Sequence, residues 1–238
     1  MGKTRRPQPF VIRLTHWINV PTLAVMAMSG LQILRAYPYF GPQGAMYGGV
    51  IGPFQGIDFP DEVRLGGWLG GARHLHFAFA WILIINALVY LGYTFASGEF
   101  RRRYFWPPRD AKPALVQQIF YVKAFAWRVK RLVSKDPGPA PVQAPHDLYN
   151  GLQRAAYSGA VTLGALEVLS GIAIWKPVTF HRLAWVFGGY DGARFVHFLV
   201  LILIGLFLVG HLAMVAIHYK QLPEMVTGGE LPKAEVKS

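Results

Sequence analysis

The sequence contains no cysteine. That excludes disulfides, thiolate metal centres, iron–sulfur ligation and covalent haem attachment through C-x-x-C-H, so any bound metal must be held by His, Met or carboxylate. Charge is scarce as well. Only 15% of the 238 residues are charged while 53% are hydrophobic, and the mean hydropathy is +0.30, too apolar for one ordinary soluble domain of this length. Acidic residues are the scarcest charge, 12 against 24 Lys and Arg, which leaves a formal net charge of +12. In a soluble chain that excess would suggest nucleic acid. Here the basic residues cluster between long apolar runs, as membrane topology requires, so the charge reads as orientation and no nucleic-acid partner is expected.

A span needs about 20 predominantly apolar residues to cross the hydrocarbon core. Four stretches meet that length, at about 15–36, 74–96, 153–175 and 195–219. The expected fold is therefore all-α, one membrane domain over 1–238 built as a bundle of four transmembrane helices. Lys3, Arg5 and Arg6 before the first run imitate a signal peptide, but the run is too long and lacks a small-residue cleavage site, so it is kept as a helix of the mature protein. Of the 24 Lys and Arg, 18 fall in the amino terminus, the loop 98–150 with its flank, and the carboxyl tail. The positive-inside rule then puts both termini and that loop in the cytoplasm, in an inner-membrane protein, and the other two loops outside. Within the basic loop, 114–133 mixes apolar residues with Lys123, Arg128, Lys130 and Arg131 and reads as an amphipathic helix on the inner surface. The segment 137–145 reads as an extended, proline-rich linker.

Ionisable side chains inside a bilayer are expensive, so histidines in spans are functional candidates. His197 and His211 are fourteen residues apart, nearly the same helix face and ~21 Å apart along the axis. The pattern G-A-R-x-x-H-F occurs twice, at 71–77 and 192–198, each copy opening a span from the outside. It sets His76 and His197 at equal depth, with Arg73 and Arg194 three residues earlier, where a haem propionate would pair. His16 enters from the inside and should meet His211 near the cytoplasmic face, with Arg13 again three residues before. Two low-spin b haems, iron-ligated by His76 with His197 and by His16 with His211, are the expected cofactors, with Arg13, Arg73 and Arg194 at the propionates. A lone intramembrane His more often hydrogen-bonds between helices. Four at matching depths with a repeated arginine offset favour ligation.

His74 is rotated away from His76, His218 should reach the inner headgroups, and His146 and His181 fall in loops. Met28-Ser29-Gly30-Leu31 and Leu169-Ser170-Gly171-Ile172 echo each other near the outer ends of the first and third spans. They fit either close approach to a flat macrocycle or simple helix packing at small residues. Glu167 lies inside the third span, with a proton or hydrogen-bonding role left open alongside the roles of His74 and His218.

On these residues the chain resembles the dihaem cytochrome b membrane subunits of nickel–iron hydrogenases, formate dehydrogenases and thiosulfate- or sulfite-type molybdenum oxidoreductases. The resemblance covers all four spans and rests on R-L-T-H-W at 13–17, A-R-x-x-H-F at 72–77, Y-N-x-x-Q-R at 149–154 and the His197/His211 pair. It implies the same haem pairing. It also nominates Asn150 and Gln153 beside a quinone near the inner haem, where helix capping by Asn150 is the competing reading. The implied function is electron transfer between the membrane quinone pool and a periplasmic redox subunit, directly or through a further electron-transfer subunit, docked over the loop 37–70. The long loops resemble those of the molybdopterin branch more than the hydrogenase branch. The chain itself is expected to be non-catalytic apart from quinone chemistry at its inner site. Competing readings are a hydrogenase cytochrome b subunit, a stand-alone quinone-linked (superoxide) oxidase, and a haem-free, His-lined transporter.

Overall fold

The computed structural model describes residues 8–38, 40, 59–134, 136–142, 151–217, 219 and 222–228. All regular structure among them is helical: α1 (Phe10–Ala36), a 3-10 turn (Asp61–Val63), α2 (Leu69–Ala96), α3 (Glu99–Arg103), α4 (Pro107–Val133), α5 (Gly151–Trp175), α6 (His181–Val186), α7 (Gly189–Ile217) and α8 (Leu222–Thr227). Helices α1, α2, α5 and α7 are long and apolar enough to cross a membrane. The chain is a multi-pass, all-helical membrane protein. In α7, the most apolar, few residues are buried within the protein, so its aliphatic surface is left for lipid.

The spans start earlier than their apolar cores. Helix α1 begins at Phe10 and α7 at Gly189, because the intrahelical hydrogen-bond ladder continues through Arg13 and Arg194 past the point where hydropathy falls. The helix expected at 114–133 is present and opens earlier, at Pro107, with prolines in the first-turn positions where a missing N–H costs nothing. Two short helices, α6 and α8, occupy segments expected to be loop and tail. His181 is thus the first residue of α6.

The chain divides into two compact units, Met1–Tyr93 with Leu163–Ser238, and Thr94–Thr162. In the first unit the interior is marked by small and polar residues, as expected where lipid makes every outward face apolar. Helix α1 buries Ile12, Thr15, Thr22, Met26 and Ser29, a stripe in which Thr15, Thr22 and Ser29 recur every seven residues. Each of those three hydroxyls donates to the carbonyl four residues back, at 2.8, 2.7 and 2.6 Å, so none is left unsatisfied.

The repeated G-A-R-x-x-H-F motif has a structural meaning at its first two positions. Gly71 and Gly192 each press against the carbonyl oxygen five residues earlier, that of Gly66 and of Phe187, leaving no room for a Cβ. Ala72 and Ala193 follow and are fully buried. Ala193 packs with Ala173 of α5 and Ala184 of α6 into the apolar cluster at that end of the unit. Glycine and alanine thus fix the start of α2 and of α7, and with it the height of the histidine one turn further on.

The second unit is organised around Asp110, fully buried in the first turn of α4. Its carboxylate accepts hydrogen bonds from Arg109 (2.7 and 2.8 Å), from Arg154 of α5 (2.7 Å) and from the backbone N–H of Trp106 (2.7 Å). The two guanidinium groups also donate to the carbonyls of Arg101, Arg102 and Tyr104, so one carboxylate joins α3, α4 and the start of α5.

Candidate functional site

The structure brings four of the eight histidines together in two pairs, both within the first unit. The ring centres of His76 on α2 and His197 on α7 lie 6.2 Å apart at an interplanar angle of 66°. Those of His16 on α1 and His211 on α7 lie 6.0 Å apart at 61°. An imidazole–metal bond is about 2.0–2.1 Å and the ring centre lies about 1.1 Å behind the nitrogen, so a metal between two imidazoles holds the ring centres about 6.2–6.4 Å apart. The 76/197 pair has that spacing, and the 16/211 pair is about 0.2 Å closer than its lower end. Among the described residues no cluster of three or more His, Asp or Glu side chains could hold an ion, and each pair presents two imidazoles.

The 76/197 pair is held from behind by the two small-residue echoes. Ser29 Oγ lies 3.1 Å from Nδ1 of His76, and Ser170 Oγ lies 2.9 Å from Nδ1 of His197. The neighbouring glycines face the same rings. A Cβ at Gly30 would lie 3.4 Å from Cε1 of His76 and one at Gly171 would lie 3.3 Å from Cε1 of His197, so glycine lets each ring lie against a helix backbone. Close approach to an imidazole is what the two echoes provide. With Nδ1 engaged at both rings, Nε2 is the nitrogen left for a ligand.

At His197 that nitrogen meets Glu167, whose Oε1 is 3.3 Å away and whose Oε2 is buried without a hydrogen-bond partner among the described residues. Metal ligation at Nε2 would take over this contact. The buried, half-satisfied carboxylate is an orphan that a group bound between the two rings would adjoin.

The 16/211 pair is built differently. His211 stacks on Phe207 of its own helix at 6.3 Å and His16 meets Trp17 edge-on at 5.4 Å. Next to His16, the buried amide of Asn86 on α2 donates to the carbonyl of Thr15 and to Oδ1 of Asn19, both at 2.8 Å. Asn86 is a fixing residue that the sequence did not single out; its only signal is a carboxamide in the middle of an apolar span. The repeat also explains why this pair occurs once. Counting the same offsets from Ser170 and His76 as from Ser29 and His197, the positions equivalent to His16 and His211 are Tyr157 and Tyr90.

The three arginines occupy different settings. Arg194 donates to the carbonyl of Tyr37 at 2.6 Å, lies 3.6 Å from Asp191 and covers the Tyr37 ring. Arg73 is exposed beside the Phe77 ring. Arg13 gives one Nη to the carbonyl of Val226 in α8, while its Nε is buried without a partner among the described residues. Trp17 Nε1 donates to the neighbouring carbonyl of Met225 at 2.9 Å, so α8 is tied to the start of α1.

Gln153 is exposed in the first turn of α5, whereas Asn150, His146, His218 and most of the loop 37–70 lie outside the described residues. His74 is exposed, and His181 lines an open apolar concavity with Pro177, Trp185 and Tyr190, apart from the paired histidines.

The family model described as prokaryotic cytochrome b561 matches residues 8–228. The putative protein-methionine-sulfoxide reductase subunit YedZ1 of Azospira oryzae is 35% identical over 217 residues, covering 91% of this chain and 93% of the relative. No solved structure matches. The chain belongs to the prokaryotic cytochrome b561 family, membrane electron-transfer subunits that carry haem b.

Proposed function

We propose that the chain holds two b haems, one between His76 and His197 and one between His16 and His211, and that it carries electrons across the inner membrane between quinone and a periplasmic oxidoreductase subunit. The observation that carries this reading is the pair of ring separations, 6.2 and 6.0 Å, on one helix that spaces its two histidines by fourteen residues. At ~1.5 Å per residue the two sites stand ~21 Å apart along α7, one near each membrane face. Haem b with two imidazole ligands exchanges single electrons and stays closed to small ligands.

The protein's own groups do the positioning. Ser29 and Ser170 fix the ring nitrogens of the 76/197 pair, and Asn86 fixes the backbone beside His16. Arg73 and Arg194 stand one turn before their histidines, and Arg13 one turn before His16, where carboxylates of a bound group would be neutralised. The basic amino terminus, α3, α4 and tail favour a cytoplasmic placement, which puts the 16/211 pair at the inner face and the 76/197 pair at the periplasmic face. Gln153, with Asn150, is the proposed contact for a quinone carbonyl on the cytoplasmic side.

The relative's name makes it a subunit of a protein-methionine-sulfoxide reductase. That supports a partner of the molybdopterin type for this chain rather than a hydrogenase, with the outer loop as its dock. A quinol-reduction assay tests the function. Adding a menaquinol or ubiquinol analogue to the purified, oxidised protein should produce a reduced b-type spectrum within seconds, slowed severalfold in Gln153→Ala. A wild-type protein that dithionite reduces and no quinol does would contradict it.

A further inference from the structure

The sequence echo at Ser29-Gly30 and Ser170-Gly171 has no role in ligation itself, yet the structure sets both hydroxyls against the two histidines of a single pair. We infer that Ser29 and Ser170 are positioning residues that fix the tautomer of His76 and His197 and hold the reduction potential of that haem down, independently of the other haem. The inference rests on the bis-histidine reading of the 76/197 pair.

A hydroxyl carries one proton, and both serines spend it on their own helix. Ser29 Oγ is 2.6 Å from the carbonyl of Val25 and 3.2 Å from that of Met26; Ser170 Oγ is 2.6 Å from Leu166 O and 3.2 Å from Glu167 O. With the proton committed, each Oγ presents a lone pair to the imidazole, so the bond runs from Nδ1–H to the serine, at 3.1 Å for His76 and 2.9 Å for His197. Both serines are fully buried, so water does not compete for either end of the relay. The rings are thereby held as the tautomer with Nδ1 protonated and Nε2 free.

An acceptor on the non-ligating N–H raises the basicity of a metal-bound imidazole. A more basic ligand pair favours the more positively charged, oxidised iron, which lowers the potential. A relay of hydroxyl to backbone carbonyl polarises the N–H further than an isolated hydroxyl would. Two serines act on one iron, one from each side, and the 16/211 pair, ~20 Å away along α1, is untouched by either.

The test is a redox titration of the purified, haem-loaded protein, followed by visible absorption and low-temperature electron paramagnetic resonance. In Ser29→Ala and in Ser170→Ala one of the two midpoints should move to more positive potential. The double variant should move it further while the second midpoint and its low-spin signal stay in place. Ser→Thr at either position retains the hydroxyl and should return the midpoint towards wild type, which a merely space-filling role would not require. Two haems with both midpoints unmoved in the double alanine variant overturn the inference. A wild-type protein lacking low-spin b-haem signals overturns instead the reading of the histidines beneath it.

Discussion

The guanidinium of Arg154 in α5 donates at 2.7 Å to Asp110, a carboxylate with no solvent exposure that also takes bonds from Arg109 and from the backbone of Trp106. The Arg109 hydrogen bonds, with those from Trp106 and Arg154, hold the Asp110 carboxyl well below the usual carboxylate range despite its burial. Because the folded-state value is depressed, the stabilisation is complete above the ordinary carboxylate pKa of about 4 and is lost as pH falls from there through the depressed folded value.

Asp110→Asn leaves the largely buried guanidinium of Arg154 and the half-exposed one of Arg109 facing a neutral amide, which should destabilise the unit by about 1.5–3 kcal/mol at neutral pH. Thermal unfolding in detergent should show a gap between wild type and variant that is constant from pH 7 to about 5 and narrows below about 4. A gap independent of pH would contradict the assignment of the stabilisation to the ionised carboxylate.

Gly171 is predicted to tolerate little beyond hydrogen. Gly171→Ala sets a methyl 3.3 Å from Cε1 of His197, a crowding that a small ring movement absorbs. Gly171→Leu should displace the ring and cost the protein one haem of two, read as a halved haem-to-protein ratio, and Gly30→Leu should do the same through His76. Full haem content in both leucine variants would show that the rings are not packed on these glycines.

Asn86→Leu removes the two bonds from α2 to α1 beside His16. Interhelical hydrogen bonds of this kind contribute about 0.6–2 kcal/mol, so folding should survive while the 16/211 haem is perturbed. The expected result is a shifted or broadened low-spin signal for one haem only. Equal disturbance of both would assign Asn86 to general packing.

The spans, the surface helix and both histidine pairs were legible in the sequence because each depends on one-dimensional spacing: the length of an apolar run, an i to i+14 offset, a motif seen twice. The serine echo was legible as a repeat but not as a contact, because nothing in Met28-Ser29-Gly30-Leu31 says that the hydroxyl faces a ring on the next helix. Asn86 and the Asp110 cluster stayed hidden for a related reason. Each joins residues far apart in the chain, Asp110 with Arg154 and Asn86 with Thr15, and the sequence, though it shows a carboxamide inside an apolar span, does not name the partner. The carboxyl ends of the first three spans fall where expected, whereas the helices start earlier than expected, at Phe10 for α1 and Gly189 for α7, because hydropathy reports the bilayer and Arg13 and Arg194 remain in helices that outlast it.

The central claim is two haems on two particular histidine pairs, and haem stoichiometry tests it most directly. A pyridine haemochrome assay against protein concentration should give two haem b per chain in wild type, one in His76→Ala or His197→Ala, one in His16→Ala or His211→Ala, and none when His197 and His211 are replaced together. A wild-type value of one, or a second haem surviving in His76→Ala and His16→Ala alike, would contradict it.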